Sequence, residues 1–113
     1  MVYFGEIMEQ KNIKKINVKF MVEDIVGCKW SLSVLDMLGK GINRPGAMTR
    51  EVDGLTTKVL NERLRKLLHY KIIKKIEFDE VPPRVEYKYT DFGLKFLKII
   101  NEIRSLEKEI SDH

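Results

Sequence analysis

The sequence predicts a mainly helical α+β domain, and three observations predict it. Helix-period apolar stripes occupy the stretches before residue 40 and after residue 90, a helix–break–helix unit centres on Asp53-Gly54, and two alternating runs flank Pro82-Pro83. With 113 residues the chain is one domain, and 43% hydrophobic with 34% charged residues fits a soluble globular class. The single cysteine, Cys28, excludes an intrachain disulfide framework and suits a reducing cytoplasm. No run of about 18 apolar residues and no secretory leader pattern is present, so the expected location is cytoplasmic, without a membrane partner. The net charge of +4 and pI near 9.2 suggest a polyanionic partner, and the placement of the charge matters more than its sum.

Residues 1–17, MVYFGEIMEQKNIKKIN, carry scattered apolar side chains and a basic cluster at Lys11, Lys14 and Lys15. They read as an N-terminal arm or a partner-facing segment. VKFMVEDIV, 18–26, reads as a short helix that Gly27 breaks; KWSLSVLDML follows as a second helix, with Trp30, Val34, Leu35 and Leu38 on one face. Gly39 and Gly41 end it.

The next unit has a helix-turn-helix outline. Pro45 stands where a helix can begin, AMTREV supplies about two turns, and Asp53-Gly54 breaks the chain. Thr56 or Thr57 then offers an N-cap for a longer helix running to about Tyr70. In that helix Leu60, Leu64, Leu67 and Leu68 form the expected buried stripe, and Lys58, Glu62, Arg65 and His69 fall on the opposite face, flanked by Asn61 and Lys66. Between Leu55 and Lys75 stand seven basic residues and one acidic residue, a local balance of +6 against +4 for the whole chain. The charge excess is concentrated here.

IIKKIEF and RVEYKY alternate as strands joined by about four residues, with Ile76 and Phe78 on one face of the first and Val85, Tyr87 and Tyr89 on one face of the second. A register opposing residues 79 and 84 sets Glu77 against Glu86 and Lys75 against Lys88, like charges directly opposite. A two-residue shift keeps the apolar faces together and brings Glu77 to Arg84 or Lys88, so the register stays open. At the tip neither Pro82 nor Pro83 donates a backbone hydrogen bond, and Val81 is pushed toward an extended conformation. The prolines stiffen the turn and deny its edge a pairing partner.

After Thr90, a potential N-cap, Phe92, Phe96, Ile99, Ile103, Leu106 and Ile110 recur at spacings of 4, 3, 4, 3 and 4, with Leu97 and Ile100 widening the stripe. This is the seam of a coiled coil. The stripe either packs on the helices of its own chain or forms a dimer interface, and its length favours the dimer.

Two helices, a helix-turn-helix, a hairpin and a long last helix make a winged helix-turn-helix with a two-stranded wing. Its divisions are an arm at 1–17, a winged-helix DNA-binding domain at 18–90, and a C-terminal dimerisation helix packed on that domain at 91–113. From about Asn17 to Ile100 the sequence resembles the HxlR family of winged-helix transcription regulators. The resemblance rests on GCKW at 27–30, LTTKVLNERLRKL at 55–67, EVPPRVEY at 80–87 and the threonine and glycine of TDFG. It implies that the helix from Thr56 lies in the DNA major groove, that the hairpin is the wing, and that a homodimer binds an operator. Two departures stand out. Pro45-Gly46 replaces the family's aromatic and capping residues, which makes a late start for that helix an expectation. The sensing cysteine of many members lies about a dozen residues before the Lys-Trp pair, approximately at Asn17 here.

A recognition helix offers its N-terminal residues to base edges, which names Thr56, Thr57, Lys58, Asn61, Glu62 and Arg65 as candidate DNA contacts. Arg65 suits guanine, Asn61 adenine and Glu62 cytosine. The bland alternative is a solvated face with Lys58–Glu62 and Glu62–Lys66 as spacing-four ion pairs. On the wing, Lys75 and Arg84 are the candidates, Arg84 toward phosphate or the minor groove; charged residues also guard an exposed strand edge. Cys28, at a helix start beside Lys29, is a possible redox site, and a small buried cysteine is the commoner outcome. Neither His69 nor His113 lies in a cluster of metal-ligand spacing, and Ser31 and Ser33 lack a nucleophile elbow, so no enzyme, metal or cofactor is expected. The expected function is a sequence-specific DNA-binding regulator acting on an inverted repeat, with any small-molecule or redox effector unidentified. A winged-helix protein or RNA interaction module is the alternative.

Overall fold

The computed structural model describes residues 17–112. The elements run α1 (Val18–Val26), α2 (Lys29–Gly39), α3 (Pro45–Glu51), α4 (Thr57–His69), β1 (Ile73–Phe78), β2 (Arg84–Tyr89) and α5 (Asp91–Ser111). The expected arm lies outside the described residues, except Asn17, which belongs to α1: its side-chain oxygen accepts from the Phe20 N–H at 2.8 Å as the N-cap.

Met21 and Ile25 of α1, Val34, Leu35, Met37 and Leu38 of α2, Met48 of α3, and Leu60, Leu64 and Leu67 of α4 meet in one core. The α2 stripe stands as its period predicts, with Trp30 half-buried at its margin; in α4, Leu68 is half-buried and not part of the buried stripe. The late start expected for α3 is corrected: Pro45 is its first residue, because the proline's missing N–H costs nothing in a first turn and its fixed φ suits one.

Helices α2 and α4 end the same way with different residues. After α2 the Ile42 N–H reaches the Met37 carbonyl at 2.9 Å and the Gly41 N–H the Leu38 carbonyl at 3.1 Å, with Gly41 at φ +85°. After α4 the Ile72 N–H reaches Leu67 and the Lys71 N–H reaches Leu68, both at 3.0 Å, with Lys71 at φ 63°. Both are Schellman closures, and at Lys71 a side chain occupies a left-handed position that glycine fills more cheaply. The closure aims Ile72 and Ile73 straight into the core, where both are buried.

The wing takes neither of the registers weighed from the sequence. Ile73 faces Tyr89, Lys75 faces Tyr87, Glu77 faces Val85 and Phe78 faces Arg84. Strand pairing ends at Phe78 and resumes at Arg84, so the loop is 79–83, one residue longer than expected. That residue shifts the pairing by one, which turns Ile76 and Phe78 to the opposite face from Val85, Tyr87 and Tyr89. The inner face is completed by Ile73 instead, and Phe78 is covered from outside by the Arg84 guanidinium, 3.8 Å from its ring centre. Lys74 and Lys88 stand directly opposite each other.

Thr90 caps α5, accepting from the Gly93 N–H at 2.8 Å while its own N–H reaches the Ile72 carbonyl at 3.0 Å. A Cβ on Gly93 would lie 1.9 Å from that carbonyl oxygen, so the helix seats on Ile72, just ahead of β1, only because residue 93 has no side chain. Further on, Phe96 and Ile100 are buried in the chain's own core, with Leu97 half-buried beside them. The six-residue seam is therefore not one surface. Phe96 leaves it, Ile103 is half-buried, and Phe92, Ile99, Leu106 and Ile110 stay exposed, as do Val18 and Phe20 of α1.

Candidate nucleic-acid interface

Helix α4 begins at Thr56, whose hydroxyl accepts from the Val59 N–H at 3.2 Å. This cap fixes the first turn, and the leucine stripe fixes the rotation of the helix by burying Leu60, Leu64 and Leu67. Thr57, Lys58, Asn61, Glu62 and Arg65 are consequently all exposed. Among the described residues neither spacing-four pair of the bland reading forms, and Lys58, Glu62 and Arg65 make no ion pair. The face presents two cations, a carboxylate and an amide, whose side chains make no hydrogen bond or ion pair among the described residues.

Lys66, one position beyond Arg65, has a different use. Its ammonium lies 3.1 Å from Asp24 of α1, which also accepts from the Tyr70 hydroxyl. Burial raises the Asp24 carboxyl, but the hydrogen bonds from Tyr70 and Lys66 and the charges of Lys66 and Arg63 outweigh it, and the net shift is downward. Tyr70 is pushed up to about 12 by burial and by its bond to the Asp24 carboxylate. Nothing in the apolar spacing of α1 signals this cluster; its one sequence sign is the acidic pair Glu23-Asp24 within VKFMVEDIV.

The wing's charges are directed at one another. Arg84 donates to Glu80 at 2.9 Å and to Glu86 at 3.0 Å, Arg44 lies 3.8 Å from Glu86, and Lys75 lies 3.4 Å from Glu77. Residues 73–89 carry four basic and four acidic side chains, and only Lys74 and Lys88 of the basic four are unpaired among the described residues.

Cys28 is the half-buried N-cap residue of α2. Burial raises its thiol pKa, while the dipoles of the Ser31 hydroxyl and amide and the charges of Arg63 and Lys66 lower it by more. The Ser31 hydroxyl is wholly buried and has no hydrogen-bond partner among the described residues. No group of three His, Cys, Asp or Glu placed to hold a metal occurs among the described residues, and none of their helices is long and apolar enough to cross a membrane.

Comparison with known proteins agrees with this arrangement. The family model described as HxlR-like helix-turn-helix matches residues 25–113. A candidate regulatory protein, MalR of Fusobacterium mortiferum, is 36% identical over 95 residues, covering 83% of this chain and 89% of its own. The HTH-type transcriptional regulator sll1512 of Synechocystis is 38% identical over 75% of this chain and 63% of its own. Among solved structures, a candidate transcriptional regulator of the MarR family from Enterococcus faecalis V583 superposes with a TM-score of 0.73 and 28% identity, over 89% of this chain and 94% of that one. The redox regulator HypR in its oxidised form gives a TM-score of 0.64 and 26% identity, over 81% and 94%. These relatives are transcription regulators and not enzymes. With a winged helix built around an exposed polar α4 and a family match over most of its length, the chain belongs to the HxlR-like helix-turn-helix family of transcription regulators.

Proposed function

We propose that this regulator binds an inverted-repeat operator as a homodimer, with α4 in the major groove. The observation that carries the proposal is the exposed face of Thr57, Lys58, Asn61, Glu62 and Arg65, which makes no ion pair among the described residues while Lys66 on the same helix is held by Asp24. A helix that ties down its inner cation and leaves its N-terminal polar groups outward has the form of a base-reading element. Thr56 serves first as the cap and meets DNA only through its position at the groove-facing end. On the wing, Lys75 and Arg84 carry internal ion pairs, and Lys74 and Lys88, unpaired among the described residues, supply the charge for DNA. Two lysines directly opposite repel, and a phosphate between them relieves that repulsion.

The dimer rests on α5 and α1. Every residue from Ser105 to Asp112 is exposed, so Leu106 and Ile110, 61% and 72% exposed, project from the domain with apolar side chains uncovered. Phe92 and Ile99 are also exposed on α5 and Ile103 is half-buried there, and α1 offers the exposed Val18 and Phe20. On an inverted repeat a two-fold dimer has to present its two copies of α4 about 34–36 Å apart, one turn of DNA. Cys28, with its lowered thiol pKa and its cationic neighbours, is the candidate redox-responsive group; treatment with peroxide followed by operator binding checks it. Selection of bound duplexes from random sequence tests the main reading. An enriched inverted repeat is the expected result, and purified protein with no duplex preference leaves the protein or RNA interaction module in its place.

A further inference from the structure

We propose that the Asp36–Arg104 pair, together with the Tyr89 hydroxyl on the Leu35 carbonyl, fixes the angle at which α5 leaves the domain and thereby sets the spacer between operator half-sites. The inference rests on the operator-binding dimer proposed above. Arg104 donates from both terminal nitrogens to the two Asp36 oxygens, at 2.8 and 2.9 Å. A two-point fork restrains direction as well as distance. The arginine makes this contact 68 positions away in sequence, although Glu107 lies one turn along its own helix. Asp36 in turn is the one charged residue within the α2 run SLSVLDMLG.

The neighbouring contact ties in the wing. Tyr89, the last residue of β2, donates to the carbonyl of Leu35, one residue before Asp36, and a Cβ on Gly39 would come within 3.3 Å of that hydroxyl. Residues 35 to 39 of α2 therefore receive both the base of the wing and the middle of α5. Along α5 the anchors run from Thr90 and Gly93 on Ile72, through Phe96 and Ile100 in the core, to Arg104; from Ser105 to Asp112 every residue is exposed. Arg104 is the last hold on the helix before its projecting end. Asp36 and Arg104 are each more than a third exposed, and exposed pairs add little stability, so the effect of this one is chiefly on direction. In a body with a radius of gyration of 16.2 Å, a turn of about 10° displaces outlying groups by about 3 Å, close to the ~3.4 Å step of one base pair.

The test uses the full chain and duplexes that carry the selected half-site as an inverted repeat, with the spacer changed one base pair at a time. Wild type is expected to favour one spacer by about tenfold over its neighbours, and Asp36→Ala and Arg104→Ala to flatten that preference to about threefold or less. Dimer mass and affinity for an isolated half-site are expected to stay as in wild type. The charge-reversed Asp36→Arg/Arg104→Asp protein is expected to recover a sharp preference. An unchanged spacer profile in both single variants overturns the inference and leaves operator binding standing, as does flattening that appears only with loss of the dimer. A wild type with no preference for any inverted repeat removes the underlying reading instead.

Discussion

On α4, Lys58 and Arg65 point outward without an ion pair among the described residues; on the wing, Lys75 lies against Glu77 and Arg84 is held between Glu80 and Glu86 while it covers Phe78. Both regions offer basic candidates for DNA contact in the sequence, although residues 73–89 balance four basic against four acidic side chains. The structure shows that the same residue types serve two ends, because a cation next to carboxylates at strand spacing is neutralised where it stands, and one on a helix face with a single acid is not. Local charge counts name a region; partners decide which of its charges reach a ligand.

The largest expected effect breaks the frame that both regions share. Gly93→Ala puts a Cβ against the Ile72 carbonyl at the root of the wing and the start of α5, and is expected to cost about 3 kcal/mol or more, read as a fall in urea midpoint. Arg65→Ala follows. It should weaken operator binding by about 1–3 kcal/mol with an unchanged melting temperature, because the side chain is exposed and makes no ion pair among the described residues. Leu106→Asp, at a position uncovered by its own chain, should give monomers by light scattering with the fold intact; an unchanged dimer mass removes α5 from the interface.

Smaller effects sharpen the contrast within α4. Lys66→Ala should cost about 1 kcal/mol of stability or less and spare sequence preference, since its partner is Asp24. The same cluster predicts two pH limits. Asp24 titrates below its ordinary 3.8 when folded, so its stabilisation is present above that value and is lost as pH falls beneath it. Tyr70 titrates near 12 against 10.0 unfolded, so its contribution is complete below pH 10 and fades between 10 and 12. Urea unfolding of Tyr70→Phe across the alkaline range should lack that loss.

Among the described residues the helices were legible in the sequence: a buried stripe is enough to orient α2, α4 and α5, Pro45 and the Asp53-Gly54 break bracket α3, and Thr56, Thr90 and Pro45 mark three of the starts. The wing register was not legible: Ile72, Ile73, Ile76 and Phe78 allow two phases of alternation, and the length of the tip loop chooses between them. The α5 seam was half legible. Its period is right for a coiled coil, but Phe96 and Ile100 are taken by the core of the same chain, which no spacing reveals. On α4 the exposed face follows from the leucine stripe, whereas the pairing of Lys66 with Asp24, 42 positions away, is a tertiary fact. Asp36 with Arg104 is another.

Sequence preference that resides in α4 and not on the Arg84 side of the wing shows in the ratio of affinities for the selected inverted repeat and random duplex, measured at one salt concentration in wild type, Arg65→Ala and Arg84→Ala. Arg65→Ala is expected to lower this ratio by about tenfold or more, and Arg84→Ala to leave it within about threefold of wild type. A ratio that survives Arg65→Ala and collapses with Arg84→Ala would assign sequence reading to the wing instead.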